Sequence, residues 1–201
     1  MSLIKLNNRA VKDVTQFGSI SSLGSLTHIS TATASANSSI EFTSGIDSSY
    51  KEYVFYFVNM HPSNNAVDFQ FNLSTDSGSN YNVTKTTTVF DAYHFENDTS
   101  PNLTYRDSTD LAQSTAFQNL CLQLGNDNDQ SVSGYLHLFN PSSTTFVKHF
   151  LARTSNAYDI EAIIESYTAG YGNTTSSIDA IKFQMSSGNI DSGQILLFGV
   201  N

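Results

Sequence analysis

The stretch that decides the fold class is Tyr50-Lys51-Glu52-Tyr53-Val54-Phe55-Tyr56-Phe57-Val58-Asn59-Met60. Side chains along a strand alternate between two faces, so Tyr53, Phe55 and Phe57 share one face. The residues between them are also apolar, namely Val54, Tyr56 and Val58. Aromatic and β-branched residues favour strands, and a strand that is apolar on both faces is typical of the buried centre of a sheet. The stretch therefore predicts a central buried strand.

Further strand patterns, separated by turn residues, lie on both sides of this stretch. The segments with such patterns are 26–34, 39–42, 67–73, 81–95, 116–124, 132–139, 145–153, 178–185 and 194–200. Residues 160–167 are apolar and fit a strand or a helix, whereas the polar residues 96–110 predict an exposed loop. Many short strands at this spacing indicate an antiparallel β-sandwich, with jelly-roll topology as the leading expectation.

The composition also favours an all-β chain. Charged residues make up 13% of the sequence, about half the usual share. Helix surfaces favour Glu, Lys, Arg and Gln, whereas sheets favour Thr and aromatic residues. The 201 residues, with 14 Phe and 10 Tyr, fit one sandwich domain, which we place at 25–201.

Residues 1–24 differ from the rest and are predicted to form an extended docking arm. The first 12 residues contain three of the nine basic residues and no acid, a charge of +3. Because the whole chain carries −9, the other 189 residues carry −12. A basic arm on an acidic body is suited to docking on a partner. The residues proposed for docking are Leu3, Ile4, Lys5, Leu6, Arg9, Lys12 and Phe17. The alternative is a segment that lies along the edge of the chain's own sandwich.

Charge and hydropathy argue against several classes of partner. The net charge of −9 disfavours nucleic acid, since binding to phosphates requires cations, and it disfavours anionic membrane surfaces. No apolar run approaches the roughly 18 residues of a membrane-spanning helix, and the opening residues lack the apolar core of a signal peptide. The single cysteine, Cys121, lies in an apolar run, which predicts a buried and inert thiol.

Catalytic and metal-binding motifs are not recognisable. The sequence lacks a phosphate-binding loop, a G-x-S-x-G elbow, H-E-x-x-H and C-x-x-C. His137 and His149 are predicted to face each other across a hairpin, but a zinc site needs three or four ligands. We therefore predict a protein that is not an enzyme and holds no cofactor or metal.

Three groups of polar residues have a structural and a functional interpretation. The oxygen-rich segments 76–80 and 126–129 fit turns better than calcium loops. The carboxylates of Asp159, Glu161 and Glu165 fit solvated positions better than a hydrolytic pair. In the segments predicted as loops, the aromatic candidates for a ligand such as a glycan are Tyr105, Tyr158 and Tyr171.

Several fragments, taken in order and spacing, resemble small structural proteins of marine tailed phages, including those that infect cyanobacteria and oceanic α-proteobacteria. The fragments are SLIKLNNRAVK at 2–12, FGSISSLGSL at 17–26, IEF at 40–42, SSYKEY at 48–53, DSGSNY at 76–81, IDAIKF at 178–183, SGNI at 187–190 and GQILLFGV at 193–200. The resemblance implies a virion protein with a jelly-roll-like sandwich and carries over no catalytic residue.

The functional expectation combines the resemblance with the predicted arm. We expect a virion structural protein, either a capsid decoration or cement protein or a short fibre, which docks through its arm on capsid or tail subunits. Its expected state is a homo-oligomer, with a trimer favoured. The alternative is a tail-fibre or receptor-binding module that recognises a host-surface glycan.

Overall fold

The structure, a computed structural model, describes residues 26–201, and every regular element in that range is a β-strand. The strands are β1 (Leu26–Thr33), β2 (Ile40–Phe42), β3 (Glu52–Pro62), β4 (Phe69–Ser74), β5 (Lys85–Phe95), β6 (Asn102–Tyr105), β7 (Gln118–Asn119), β8 (Val132–Phe139), β9 (Lys148–Tyr158), β10 (Ala162–Gly172), β11 (Ala180–Met185) and β12 (Ile190–Val200). The described range contains no helix long and apolar enough to cross a membrane.

The strands form two antiparallel sheets that pack as a sandwich. The large sheet has eight strands in the order β1-β12-β3-β8-β9-β10-β5-β6, and the small sheet has four in the order β2-β11-β4-β7. Antiparallel pairs nest along the chain, β1 with β12, β2 with β11, β3 with β8 and β4 with β7. This nesting is the jelly-roll order. The prediction of a jelly-roll-like antiparallel β-sandwich is confirmed.

Two hairpin-like additions widen the large sheet beyond the basic jelly roll. The pair β9–β10 extends from β8, and β5–β6 pairs with β10. None of these four strands has a partner in the small sheet, so the large sheet is twice as wide as the small one. This difference in width leaves an extended sheet surface next to the sandwich core.

The core is an aromatic cluster between the sheets, centred on Phe183 of β11. Its ring lies 5.5 Å from Phe55, 5.3 Å from Phe57 and 5.9 Å from Phe69 between centroids. All four side chains are buried. Each such ring removes a large apolar surface from water, and the tilted contacts add specific ring–ring attraction. This cluster holds β3 of the large sheet against the small sheet.

The central strand differs from its prediction on one face. In β3, Tyr53, Phe55 and Phe57 are buried in the core, as expected. On the opposite face, however, Tyr56 is only partly buried and Val58 is 43% exposed. Val54, on the same face, is 1% exposed. The small sheet covers only the core face of the large sheet, so burial of the second face is incomplete. The prediction that both faces are buried is confirmed at Val54 and was wrong at Tyr56 and Val58.

Three further segments are resolved or corrected by the structure. Residues 160–167 belong largely to strand β10, not a helix, and the predicted loop 96–110 contains the edge strand β6. Of the predicted strand 116–124, only β7 is regular, although Leu120, Cys121 and Leu124 are buried. Its regularity fails in part because Gln123 adopts a left-handed backbone with φ of 48°. The predicted buried state of Cys121 is confirmed.

The predicted docking arm lies outside the described residues. Its proposed contacts at Leu3, Ile4, Lys5, Leu6, Arg9, Lys12 and Phe17 therefore remain predictions.

Candidate functional site on the outer face of the large sheet

The large sheet presents its outer face, opposite the sandwich core, to the surface. Strand alternation and pairing place a set of exposed large apolar side chains on this face: Leu26, Val58, Phe90, Leu103, Tyr105, Leu151 and Ile163. Soluble proteins seldom expose large contiguous apolar patches unless they bind something there. The outer face is therefore the candidate functional surface.

A row of side chains on successive strands, all aromatic except Arg153, crosses most of this face. Register pairs each member with the next, in the order Tyr105, Phe90, Tyr167, Arg153, Tyr135 and Tyr56. Directly opposed residues in antiparallel sheets have Cβ atoms about 5 Å apart. We call this set the aromatic row. It extends from the edge strand β6 to β3.

Tyr167 contacts both of its neighbours in the aromatic row, Phe90 and Arg153. Phe90 stacks on it with centroids 4.8 Å apart and planes 5° from parallel. The guanidinium carbon of Arg153 lies 5.1 Å from the ring centroid. Arg153 also pairs with Glu165, and hydrogen bonding to that carboxylate raises the pKa of Arg153. These contacts fix the orientation of the Tyr167 ring.

A second cluster lies beside the row on β3 and β8. His137 Nδ1 contacts Glu52 Oε1, and both side chains are about three-quarters buried, with exposures of 28% and 26%. The imidazole meets Tyr135 edge-on at 5.1 Å and stacks on Phe139 at 6.1 Å. Glu52 engages Nδ1, and the ring surface of His137 contacts the two aromatic neighbours.

An open groove of about 560 Å³ lies between these two clusters. The large side chains that form most of its lining are Phe90, Tyr135, His137, Phe139, Leu151 and Tyr167. Leu151 is 51% exposed, so an aliphatic side chain remains in contact with water there. The charged groups that line it, Glu52 and Arg153, are each paired already. The lining suits apolar side chains of a peptide better than a strongly polar ligand.

The tyrosines proposed as loop ligands lie on strands, so their predicted loop setting was wrong. Tyr105 ends β6 and donates a hydrogen bond to Asp110 Oδ2 at 2.5 Å. Tyr158 ends β9 and donates to Gln123 Oε1 at 2.6 Å. Tyr171 lies on β10, edge-on to His149 at 6.0 Å. The structure does not bring the three together, and among them Tyr105 belongs to the aromatic row.

The other polar candidates are engaged in the fold. His137 and His149 share the outer face, but Leu151 rather than His149 is opposite His137. The Asp76 carboxylate accepts hydrogen bonds from Ser74 and from Asn80 in a turn. Across residues 26–201, no group of three or more His, Cys, Asp or Glu side chains is arranged to hold a metal ion.

Two buried lysines were not foreseen from the sequence. Lys85 Nζ donates to Asn72 Oδ1 at 2.5 Å and to the Val83 carbonyl at 2.9 Å, and burial lowers its pKa to about 7. Lys148 Nζ donates to the Phe146 carbonyl at 2.7 Å, and burial lowers its pKa too. Neither lysine forms an ion pair with any residue from 26 to 201. Their role is structural, since backbone and amide oxygens satisfy the amines.

The sequence contains a pattern that indicates the apolar outer face, and the strand predictions above did not use it. In 132–139, Tyr135 and Phe139 alternate with the core residues Leu136 and Leu138, so both faces of that strand are apolar. A second apolar face indicates either a covered strand or a binding surface. Only the layer arrangement distinguishes the two.

No protein-family model matches this chain, and neither the curated proteins nor the solved structures contain a significant match.

Proposed function

We propose that this chain is a structural subunit of a bacteriophage virion that works by binding other proteins. The observation that carries the proposal is the apolar outer face of the large sheet, with Leu151 and Phe90 exposed beside the groove. An apolar surface of this kind is typical of subunits that are covered in an assembly. The resemblance to marine phage structural proteins supports the virion as that assembly.

The lining of the groove supports a role in binding. It is mostly aromatic and aliphatic, and its carboxylate Glu52 is paired with His137, as Glu165 nearby is with Arg153. A largely apolar surface of this kind suits contact with another protein.

Within the particle, the proposed role is that of a capsid decoration or cement protein, or of a short fibre. The N-terminal arm docks on capsid or tail subunits, and the subunits form a symmetric homo-oligomer, with a trimer favoured. The opposite charges of the arm and the sandwich support separate roles for these two segments. Residues 1–25 hold three basic residues and one acid, a net +2, so the total of −9 leaves −11 for residues 26–201.

The test of this proposal is the composition and structure of the purified particle. Mass spectrometry should find the chain at a defined stoichiometry, and cryo-electron microscopy should locate its sandwich on the capsid lattice or at the tail. Deletion of residues 1–24 should abolish incorporation while the purified sandwich stays folded. Absence of the chain from particles, or normal incorporation of the deleted chain, would contradict the proposal.

A second candidate is a receptor-binding module that recognises a host-surface glycan. The observation in its favour is that ring surfaces of Tyr135 and Phe90 lie in the groove near the polar groups of Arg153 and Glu52. Sugars commonly stack on aromatic rings while polar groups orient them. A glycan array should then show binding that the Tyr135→Ala substitution removes and the matched Tyr50→Ala substitution, outside the groove, retains. An array without binding would exclude this candidate.

A further inference from the structure

We propose that the groove on the outer face receives residues 1–25 of a second copy of this chain, so that exchanged N-terminal arms link the subunits. The inference rests on the proposed assembly function and specifies the partner of the arm there, which is another copy of this chain rather than the capsid or tail subunits named above. The supporting observations are the lining of the groove, the charges of the two segments, and the place and direction at which β1 begins.

The lining of the groove fits the apolar content of the arm. Aromatic and aliphatic side chains form most of the groove, and Leu151 is half exposed within it. The arm contains enough apolar side chains to cover it: Leu3, Ile4, Leu6, Val11, Val14, Phe17, Ile20 and Leu23. Binding of an apolar segment removes both surfaces from water.

The charges of arm and body are complementary. The arm carries +2 and residues 26–201 carry −11. Close to the groove the charged side chains are Glu52, Glu165 and Arg153, a net −1 when histidine is counted as neutral, as in the totals above. This local excess is small, so the attraction comes mainly from the body as a whole and should be weakened by salt.

The position of Leu26 brings the arm near the groove. Leu26 pairs with Val200, Val200 with Glu52, and Glu52 with Phe139 at the groove wall. Three strand spacings of about 4.8 Å put this wall about 14 Å from Leu26. An extended segment of 25 residues can reach at most about 80 to 90 Å. The arm is several times longer than this separation.

The direction of β1 favours the groove of a neighbour over the chain's own. Register runs from the Leu26–Val200 pair inward to the Thr33–Gln194 pair, so the chain enters the sheet from its end. Because β1 runs inward from that end, an arm bound in the chain's own groove would have to reverse direction next to Leu26, whereas an arm bound by a second copy would not. In a closed ring or dimer, each subunit can give one arm and accept another.

Cysteine pairing in the full-length chain tests the inference directly. The single native cysteine, Cys121, is 1% exposed, so introduced cysteines are the accessible ones. Isotope-labelled chains carry Leu6→Cys, Val14→Cys or Phe17→Cys, and unlabelled chains carry Leu151→Cys. After mixing and mild oxidation, mass spectrometry should find disulfides between labelled and unlabelled chains. The control replaces Leu151→Cys by Leu103→Cys, which lies on the same face outside the groove and is 67% exposed.

Each result has a defined meaning. Disulfides between the two populations at Leu151 but not at Leu103 support arm exchange. A further chain combines an arm cysteine with Leu151→Cys. If disulfides form only within single molecules of that chain and none joins the labelled and unlabelled chains, the arm folds onto its own groove and the inference is wrong. If none of the three arm positions forms a disulfide with Leu151→Cys, the groove is not the site that binds the arm.

A second measurement keeps the inference separate from the proposed function. Leu151→Asp should weaken self-association at least tenfold by light scattering across a concentration series, and Leu103→Asp should leave it unchanged. Thermal unfolding should show that both variants are folded. If the chain is found in particles but these effects are missing, the inference fails and the proposed function stands. If particles lack the chain, the proposed function fails whatever the cysteine pairing shows.

Discussion

Phe90 of β5 stacks on Tyr167 of β10 with ring centroids 4.8 Å apart and planes 5° from parallel, on the face of the sheet that points away from the core. Both strands belong to the additions that widen the large sheet beyond the jelly roll. The pair therefore sits where the sandwich has an extended outer surface. A cross-strand aromatic pair stabilises the sheet itself, and Phe90, which is 40% exposed, is also available to the partner proposed above.

The core cluster should dominate the stability of the sandwich. Phe183→Ala removes the ring that contacts Phe55, Phe57 and Phe69, and we expect a loss of about 3 to 5 kcal/mol in the free energy of unfolding. Phe146→Ala is the control, because that ring is 67% exposed and its loss should cost less than about 0.5 kcal/mol. Urea unfolding at 25 °C measures both, and equal losses would contradict the assigned core.

Stability should rise between pH 7 and pH 9 because of Lys85. Burial lowers its pKa to about 7 in the folded chain, whereas an unfolded lysine has a pKa of about 10.4. In this window the unfolded state binds the extra proton, so the free energy of unfolding increases with pH. From about pH 8.5, where an unfolded thiol loses its proton, Cys121 acts in the opposite direction because burial raises its folded pKa to about 12, so the rise becomes shallower toward pH 9.

Lys85→Met should remove this rise, and Lys51→Met, at an exposed position, should retain it. The measurement is urea unfolding of the three proteins at pH 7, 8 and 9. Parallel pH profiles for the parent and Lys85→Met would show that Lys85 is charged in the folded chain.

The ion pair between Arg153 and Glu165 should add little to stability. The two side chains are 48% and 33% exposed, so water and salt screen their attraction. A double-mutant cycle with Arg153→Met and Glu165→Gln should give a coupling below about 1 kcal/mol that decreases in 1 M salt. A coupling of several kcal/mol would mean that the pair is shielded from solvent, as it would be under a bound partner.

Cys121 should be inert toward thiol reagents in the folded chain. It is 1% exposed, and burial raises the pKa of its thiol to about 12, so little thiolate forms at pH 8. Labelling at pH 8 should proceed only after denaturant is added. The Leu103→Cys variant, with its exposed position, should label at once and calibrates the assay. Rapid labelling of the parent chain would contradict the burial of Leu120, Cys121 and Leu124.

Strand patterns on the sequence predicted most of the sandwich because each strand must bury one set of alternating side chains. The hairpin of β8 and β9 and the buried face of β3 follow from this local rule. The rule failed at 116–124, where burial is achieved by an irregular backbone, and at 96–110, where pairing with β5 creates the polar edge strand β6. Both failures depend on neighbours that are distant in the sequence.

The sequence by itself determined the all-β class, the alternation of the main strands and the burial of Cys121, because these depend on residue type and period along one chain. The tertiary structure alone decided which apolar face became core and which became surface. Phe57 and Tyr56 are adjacent and both aromatic, yet only Phe57 is fully buried. The small sheet packs on one side of the large sheet, and no local pattern can encode which side receives it.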